Sequence, residues 1–216
     1  MKAEDLDFYL VCRFYIYKSF YLLFLEPINN SNMHSLNNEH IARSCSDSDD
    51  KFKMSRYGEF LAGLLNRAIN DEFLSDLQSE YTKLFIGPHK LIAPPWQSIY
   101  ASRDETLFTR STLEVRAKYA KYGLKTTKYL SEADDHLAFE LNFMLYLAGL
   151  INENLDLRRS AIQDSIDFLD DDLLSWIESF IQRLVSYPSI YIGQTAIYLK
   201  NFLQNDRKFL NDILKT

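Results

Sequence analysis

Apolar positions along this chain recur every three to four residues, the spacing of a single buried stripe on an α-helix. Residues 7–25 place Phe8, Val11, Cys12, Tyr15, Ile16, Ser19, Leu22 and Leu23 near that period, and Pro27 stops the run. Residues 53–69 carry Tyr57, Phe60, Leu61, Leu64, Leu65 and Ala68 on one stripe, and 71–86 carry Phe73, Leu74, Leu77, Tyr81, Leu84 and Phe85. Gly87 then suits the left-handed residue that follows many helices, and Pro88 cannot continue one. A further helix is predicted from 106 or 111 to 122, ending at Gly123. A strong amphipathic helix is predicted over 132–152, introduced by Ser131. The rest reads as three or four helices, at about 157–169, 171–185, 189–203 and 206–214.

Two stretches break the pattern. Residues 29–50 are dominated by Asn, Ser and acids, so they are predicted to be a flexible polar loop with a short helical piece around 40–43. The stretch GPHKLIAPPWQSIYASRDE, which begins at Gly87, has little periodicity, three prolines, and Trp96 and Tyr100 flanking Ser98.

Composition narrows the class. The 216 residues include 6 Gly and 5 Pro, about 5% together, against roughly 12% in average usage. Few sharp corners are available, which disfavours a sandwich or barrel. No glycine-rich phosphate loop occurs. An all-α, single-domain bundle of about eight to ten helices is expected. The net charge of −6 argues against nucleic-acid binding and fits a basic partner. Cys12 and Cys45 have no C-x-x-C spacing, so neither a disulfide framework nor a zinc site is indicated. The apolar N-terminus is interrupted by Arg13 and Lys18 and preceded by Asp5 and Asp7, unlike a signal peptide or a membrane span. A cytoplasmic protein with no stable membrane insertion is the simplest expectation.

Three places could carry chemistry. In IAPPWQSIY, Pro94 and Pro95 fix φ twice and push Ala93 to extended geometry, delivering Trp96 and Tyr100 at a defined place. They serve either a binding surface or a connector whose Trp plugs the core. In SEADDHLAFEL, Ser131 and Asp134 match a capping box, while Asp135, His136 and Glu140 fall near one helix face. That group is either an acid–imidazole cluster for a basic ligand or proton transfer, or helix capping with a His–Glu pair. The acidic run DSIDFLDDD at 164–172 reads as a solvated helix end. No H-E-x-x-H, H-D dipeptide or G-x-S-x-G is present, so metal-dependent or nucleophilic catalysis lacks its usual residues.

Together, YTKLFIGPHKLIAPPWQSIY (81–100), TLEVRAKYAKYGL (112–124) and EADDHLAFELNFMLYL (132–147) resemble the TorD/DmsD family of cytoplasmic molybdoenzyme maturation chaperones. The family pattern of an L-F-x-G-P turn, a P-P-W-x-S-x-Y segment and an E-P-x-D-H motif appears here as LFIGP, PPWQSIY and EADDH, with Ala133 in place of the family's proline. The match covers the central third closely and extends more loosely to the first helix and the C-terminal pieces.

The resemblance implies an all-helical, non-catalytic chaperone. It would bind the twin-arginine signal peptide and apo-form of a molybdoenzyme of the dimethyl-sulfoxide-reductase type. It implies peptide recognition by Asp135 and His136, with Gly87, Pro88, Pro94 and Pro95 shaping the groove. The residues themselves add Leu91, Trp96 and Tyr100 as an apolar wall, Asp134 and Glu140 as further acids for the arginines, and Ser98 between the two aromatics. The resemblance also implies an N-terminal half (1–153), a hinge at about 154–172 and C-terminal helices (173–216), as a monomer or a segment-exchanged dimer. No resident cofactor is expected beyond weak guanine-nucleotide binding or transient contact with the molybdenum cofactor. The competing class is a helical metal- or nucleotide-dependent hydrolase using Asp134, Asp135, His136 and Glu140.

Overall fold

A computed structural model describes residues 3–87, 90–126 and 132–215. These residues form α-helices and contain no strand; their one β-type contact is an isolated antiparallel bridge between Trp96 and His136.

The first helix, α1 (Ala3–Leu25), buries Leu10, Ile16, Tyr17, Phe20, Leu23 and Phe24, and packs most extensively on α9 (Leu137–Glu153). By length and composition α1 could cross a membrane, but half of that stretch is buried inside the protein. It also carries a fully buried charge. The Nε of Arg13 donates to both Asp206 carboxylate oxygens, at 2.7 and 2.9 Å, and Tyr17 adds its hydroxyl at 2.7 Å. In this protein α1 is a core helix tied to the C-terminal one.

The expected polar loop at 29–50 is helical instead: α2 (Asn30–Leu36), α3 (Glu39–Asp47) and α4 (Asp49–Phe52). Side chains start these helices. Asn29 accepts the N–H groups of Ser31 and Asn32 in a capping box, and Asn38 accepts that of His40. Leu36, Ile41, Cys45 and Phe52 are buried, and α3 packs on α1 and on α5 (Ser55–Arg67). The Asn and Ser residues that lowered the apolar signal are the caps and the small residues of a close interface. A Cβ at Gly58 of α5 would lie 2.9 Å from the Cys45 Cβ, so the approach requires glycine. Cys12 and Cys45 are both free thiols and buried.

Helix α6 (Asp71–Phe85) follows the predicted stripe. At its end the Gly87 N–H donates to Thr82 O at 2.8 Å, but the φ of Gly87 is not left-handed. The glycine that does adopt a positive φ, +69°, is Gly123, past the end of α8 (Arg110–Ala120).

After α9, the chain runs helically through α10 (Leu155–Phe168), a π-helical segment (Leu169–Leu173) and α11 (Leu174–Leu184). The region 154–172, where a hinge is expected, is helical from Leu155 onward. Asp167, Asp170 and Asp171 are exposed, as expected of a solvated run, but the run lies mid-helix and most of its acids are paired. Asp164 accepts from Lys121 and Tyr122, Asp170 from Arg207, and Asp171 and Asp172 share Lys118.

The last two predicted helices are one, α12 (Ile192–Leu214). Asn205 does not break it, because its side chain donates to Asn201 O one turn back and to Phe52 O. The start of α12 is closed by Glu80 of α6, whose buried carboxylate accepts the N–H groups of Ile190, Tyr191 and Ile192.

Candidate functional site

The proline segment and the start of α9 meet edge to edge. After a bend at Ile92 and Ala93, residues 94–96 run non-helically to an extended Trp96, Pro94 and Pro95 are buried, and the short helix α7 (Gln97–Ala101) begins directly after. Two backbone hydrogen bonds join the pieces: Gln97 N–H to Asp135 O at 3.0 Å and Leu137 N–H to Pro95 O at 2.8 Å. The stiff, non-helical geometry expected from two consecutive prolines supplies the straight edge this pairing needs.

Trp96 is held on two sides. Its Nε1 donates to Glu132 Oε1 at 2.9 Å, and its ring meets His136 edge-on with centroids 5.3 Å apart. Both residues remain partly exposed. His136 is the N-cap of α9, where its Nδ1 accepts the Ala138 N–H at 3.1 Å. In the neutral ring the proton is therefore on Nε2. On its other side the His136 ring lies 5.5 Å from that of Phe139. Helix α9 thus starts at Leu137, five residues later than the pattern predicts, because residues 132–136 form the turn that meets the proline segment. The proposed Ser131 cap lies outside the described residues, as does Pro88.

The three acids expected to face a basic ligand point inward. Asp135 is fully buried; its carboxylate accepts the Ser98 N–H at 2.6 Å and the Thr112 hydroxyl at 2.9 Å. Asp134, also buried, pairs with Arg116 Nε at 2.6 Å and accepts the Thr126 hydroxyl at 2.9 Å, while its backbone carbonyl takes the Tyr119 hydroxyl. Glu140, in the first turn of α9, accepts Trp176 Nε1 at 3.1 Å. Burial first, and then the nearby Asp172 and Asp135, push the Glu140 carboxyl well above the usual carboxylate range. Asp134 and Asp135 are internal fastenings with both oxygens paired to this chain's own donors, whereas Glu140 Oε1 is buried without one.

Tyr100 packs against Trp176, the donor to Glu140. Its ring stacks on Trp176, centroids 5.3 Å apart, under the Arg183 guanidinium at 4.7 Å, and burial raises its pKa. Ser98 is buried and contributes its N–H to Asp135, and Leu91 is half-buried just ahead of the bend. The structure therefore brings together Trp96 and His136, with Asp134 and Asp135 beneath them. Sequence reasoning gave no role to Glu132, although it opens the EADDH motif. It also missed Thr112 and Arg116, which lie 23 and 18 residues from their carboxylate partners.

Of the four residues of the hydrolase alternative, Asp134 and Asp135 are bound internally, Glu140 accepts from Trp176 and His136 caps a helix. Among the described residues no group of three His, Cys, Asp or Glu side chains could hold a metal ion.

A family model described as nitrate reductase delta subunit matches residues 54–182. The chaperone protein TorD of Vibrio cholerae serotype O1 is 25% identical over 197 residues, covering 89% of each chain. TorD of Photobacterium profundum is 32% identical over 138 residues, 62% of this chain and 64% of that one. Among solved structures, a protein from Archaeoglobus fulgidus described as a redox enzyme maturation protein aligns over 92% of this chain and 93% of its own, at 23% identity and a TM-score of 0.48. The family match spans well over half the chain and includes both the proline segment and the α9 turn. The chain therefore belongs to the nitrate reductase delta subunit family, as a TorD-type chaperone and not as an enzyme.

Proposed function

We propose that this chaperone acts in the cytoplasm on a molybdenum-cofactor oxidoreductase, binding its twin-arginine leader peptide and delaying export until the cofactor is in place. The observation that carries this reading is the mounting of Trp96. A large aromatic ring stays partly exposed while a buried proline pair, a hydrogen bond to Glu132 and the edge of His136 fix its position. An aromatic held this way loses little freedom on binding. Arginine is a fitting ligand, because its guanidinium stacks on an indole face and pairs with a carboxylate such as Glu132. The net charge of −6 favours approach of a basic peptide.

The buried acids support the site indirectly. Asp135 fixes the proline segment against α8 and α9, and so sets where Trp96 stands.

The test is calorimetric titration with the leader peptides of molybdoenzymes encoded beside this chain. Binding is expected, with loss in Trp96→Ala and an unchanged melting temperature. If none of those leaders binds the wild-type protein, the reading is wrong.

A further inference from the structure

Helix α9 is buried along most of its circumference, through Leu137, Ala138, Leu141, Met144, Leu147, Ala148 and Ile151. One stripe is left open: Phe139, Asn142, Tyr146, Gly149 and Glu153. Their spacing alternates three and four residues, the spacing with which one helix receives another. Helix α1 runs alongside in the opposite direction. The Asn152 side chain reaches Leu10 O, and a Cβ on Gly149 would touch the Phe14 ring at 3.6 Å. Phe14, Tyr21 and Leu25 form the other wall of a cleft of about 650 Å³. Tyr146 and Leu25 are each 37% exposed, although both are large apolar side chains.

A chain of ring contacts links this cleft to the Trp96 site. Ring contacts run from Trp96 to His136 at 5.3 Å and from His136 to Phe139 at 5.5 Å, and Phe139 lines the cleft. The charged side chains lining it are Lys125 and Glu153. The stripe from Phe139 to Glu153 rises about 21 Å as a helix. That length accommodates the apolar core of a leader peptide, which spans roughly 7–15 residues after a basic segment.

We infer that the α1/α9 cleft receives that apolar core as a helix, with the preceding arginines at Trp96 and Glu132. This rests on the leader-peptide reading and adds where, and in what conformation, the rest of the peptide lies. Gly149 is then a floor residue of the cleft, left without a side chain so that a third helix can approach closely.

Three probes test it: a twin-arginine leader, the same leader with its apolar core replaced by Ser and Gln, and a Leu/Ala helix of equal length carrying two N-terminal arginines. A photo-cross-linking residue replaces Tyr146, with Val185 at the far end of α11 as control. Leader and model helix are expected to bind and to cross-link at 146 but not at 185. The polar-core peptide should bind at least tenfold more weakly. Gly149→Met should weaken the apolar peptides about tenfold by filling the cleft. If Gly149→Met does not fold, Tyr146→Ser takes its place. Leader binding that ignores the polar core, avoids position 146 and still needs Trp96 overturns the cleft while leaving the leader reading intact. A model helix that cross-links at 146 when no leader binds supports the cleft as a helix receptor and removes the leader reading. Binding of neither peptide overturns both.

Discussion

The Asp135 carboxylate accepts the backbone N–H of Ser98 at 2.6 Å, across 37 residues of sequence and out of contact with solvent. With the Thr112 hydroxyl on its other oxygen, it fixes the proline segment, α8 and the start of α9 to one another. A residue that reads as a ligand contact in the motif is a fastener beneath the exposed Trp96–His136 pair. Asp135→Ala should cost about 2–5 kcal/mol, because it strands two buried donors and opens a polar void. Asp135→Asn should cost less, since one acceptor oxygen remains. Urea unfolding measures both. The Asn variant, if folded, should bind leader peptide within a few-fold of wild type, and loss of binding at full stability would show that Asp135 touches the peptide itself.

Glu132 carries the opposite expectation. Glu132→Gln keeps an acceptor for the Trp96 N–H but removes the charge beside it. Stability should hardly change, while affinity for an arginine-bearing leader should drop about three- to tenfold at low salt. The difference should shrink as salt is raised. Equal affinities across the salt series would remove Glu132 from arginine recognition.

Glu140 predicts a pH dependence of stability. Its carboxyl is raised well above 4.5 in the folded protein, chiefly by burial. The folded state therefore holds a proton that the unfolded chain releases, and this contribution is complete below about pH 4.5 and declines as pH rises toward the folded value. Asp172 and Asp206, also raised by burial, add in the same direction. Glu140→Gln mimics the protonated form. It should raise the melting temperature at pH 8, raise it less at pH 5, and flatten the pH profile between them. A stabilisation independent of pH would contradict the assignment.

The Arg13–Asp206 pair is buried at both ends and joins the first helix to the last. Arg13→Met leaves a carboxylate in the core with only the Tyr17 hydroxyl, at a cost of about 3–5 kcal/mol. Adding Asp206→Leu should recover most of that loss, since an apolar pair of similar size fits where the ion pair stood. Equilibrium unfolding of the single and double variants decides it. If the double variant is no better than the single, the two residues are not coupled as the structure has them.

Much of the fold is legible from local pattern. The stripes of α5 and α6, and Gly123 after α8, stand where helical spacing and breakers put them, because those signals act within a few residues. Where the pattern misleads, the cause is a side-chain contact that apolar spacing does not register, local at the caps and distant at Gly58 and Phe52. Residues 30–52 look too polar to be ordered, yet Asn29 and Asn38 are caps and Cys45 packs beside Gly58. Asn205 looks like a break, yet it bonds back into its own helix and across to Phe52.

The candidate site divides along the same line. By itself the sequence determined that Trp96 follows a rigid proline pair and that an acid–imidazole motif precedes a long apolar helix, since φ restriction and helical period are local properties. Only the tertiary structure decided which way each side chain faces. Asp134, Asp135 and Glu140 turn inward because Arg116, Ser98 and Trp176, 18 to 37 residues away, supply the donors that a buried carboxylate requires. Trp96 and His136 are left at the surface because the inner positions beneath them are already filled.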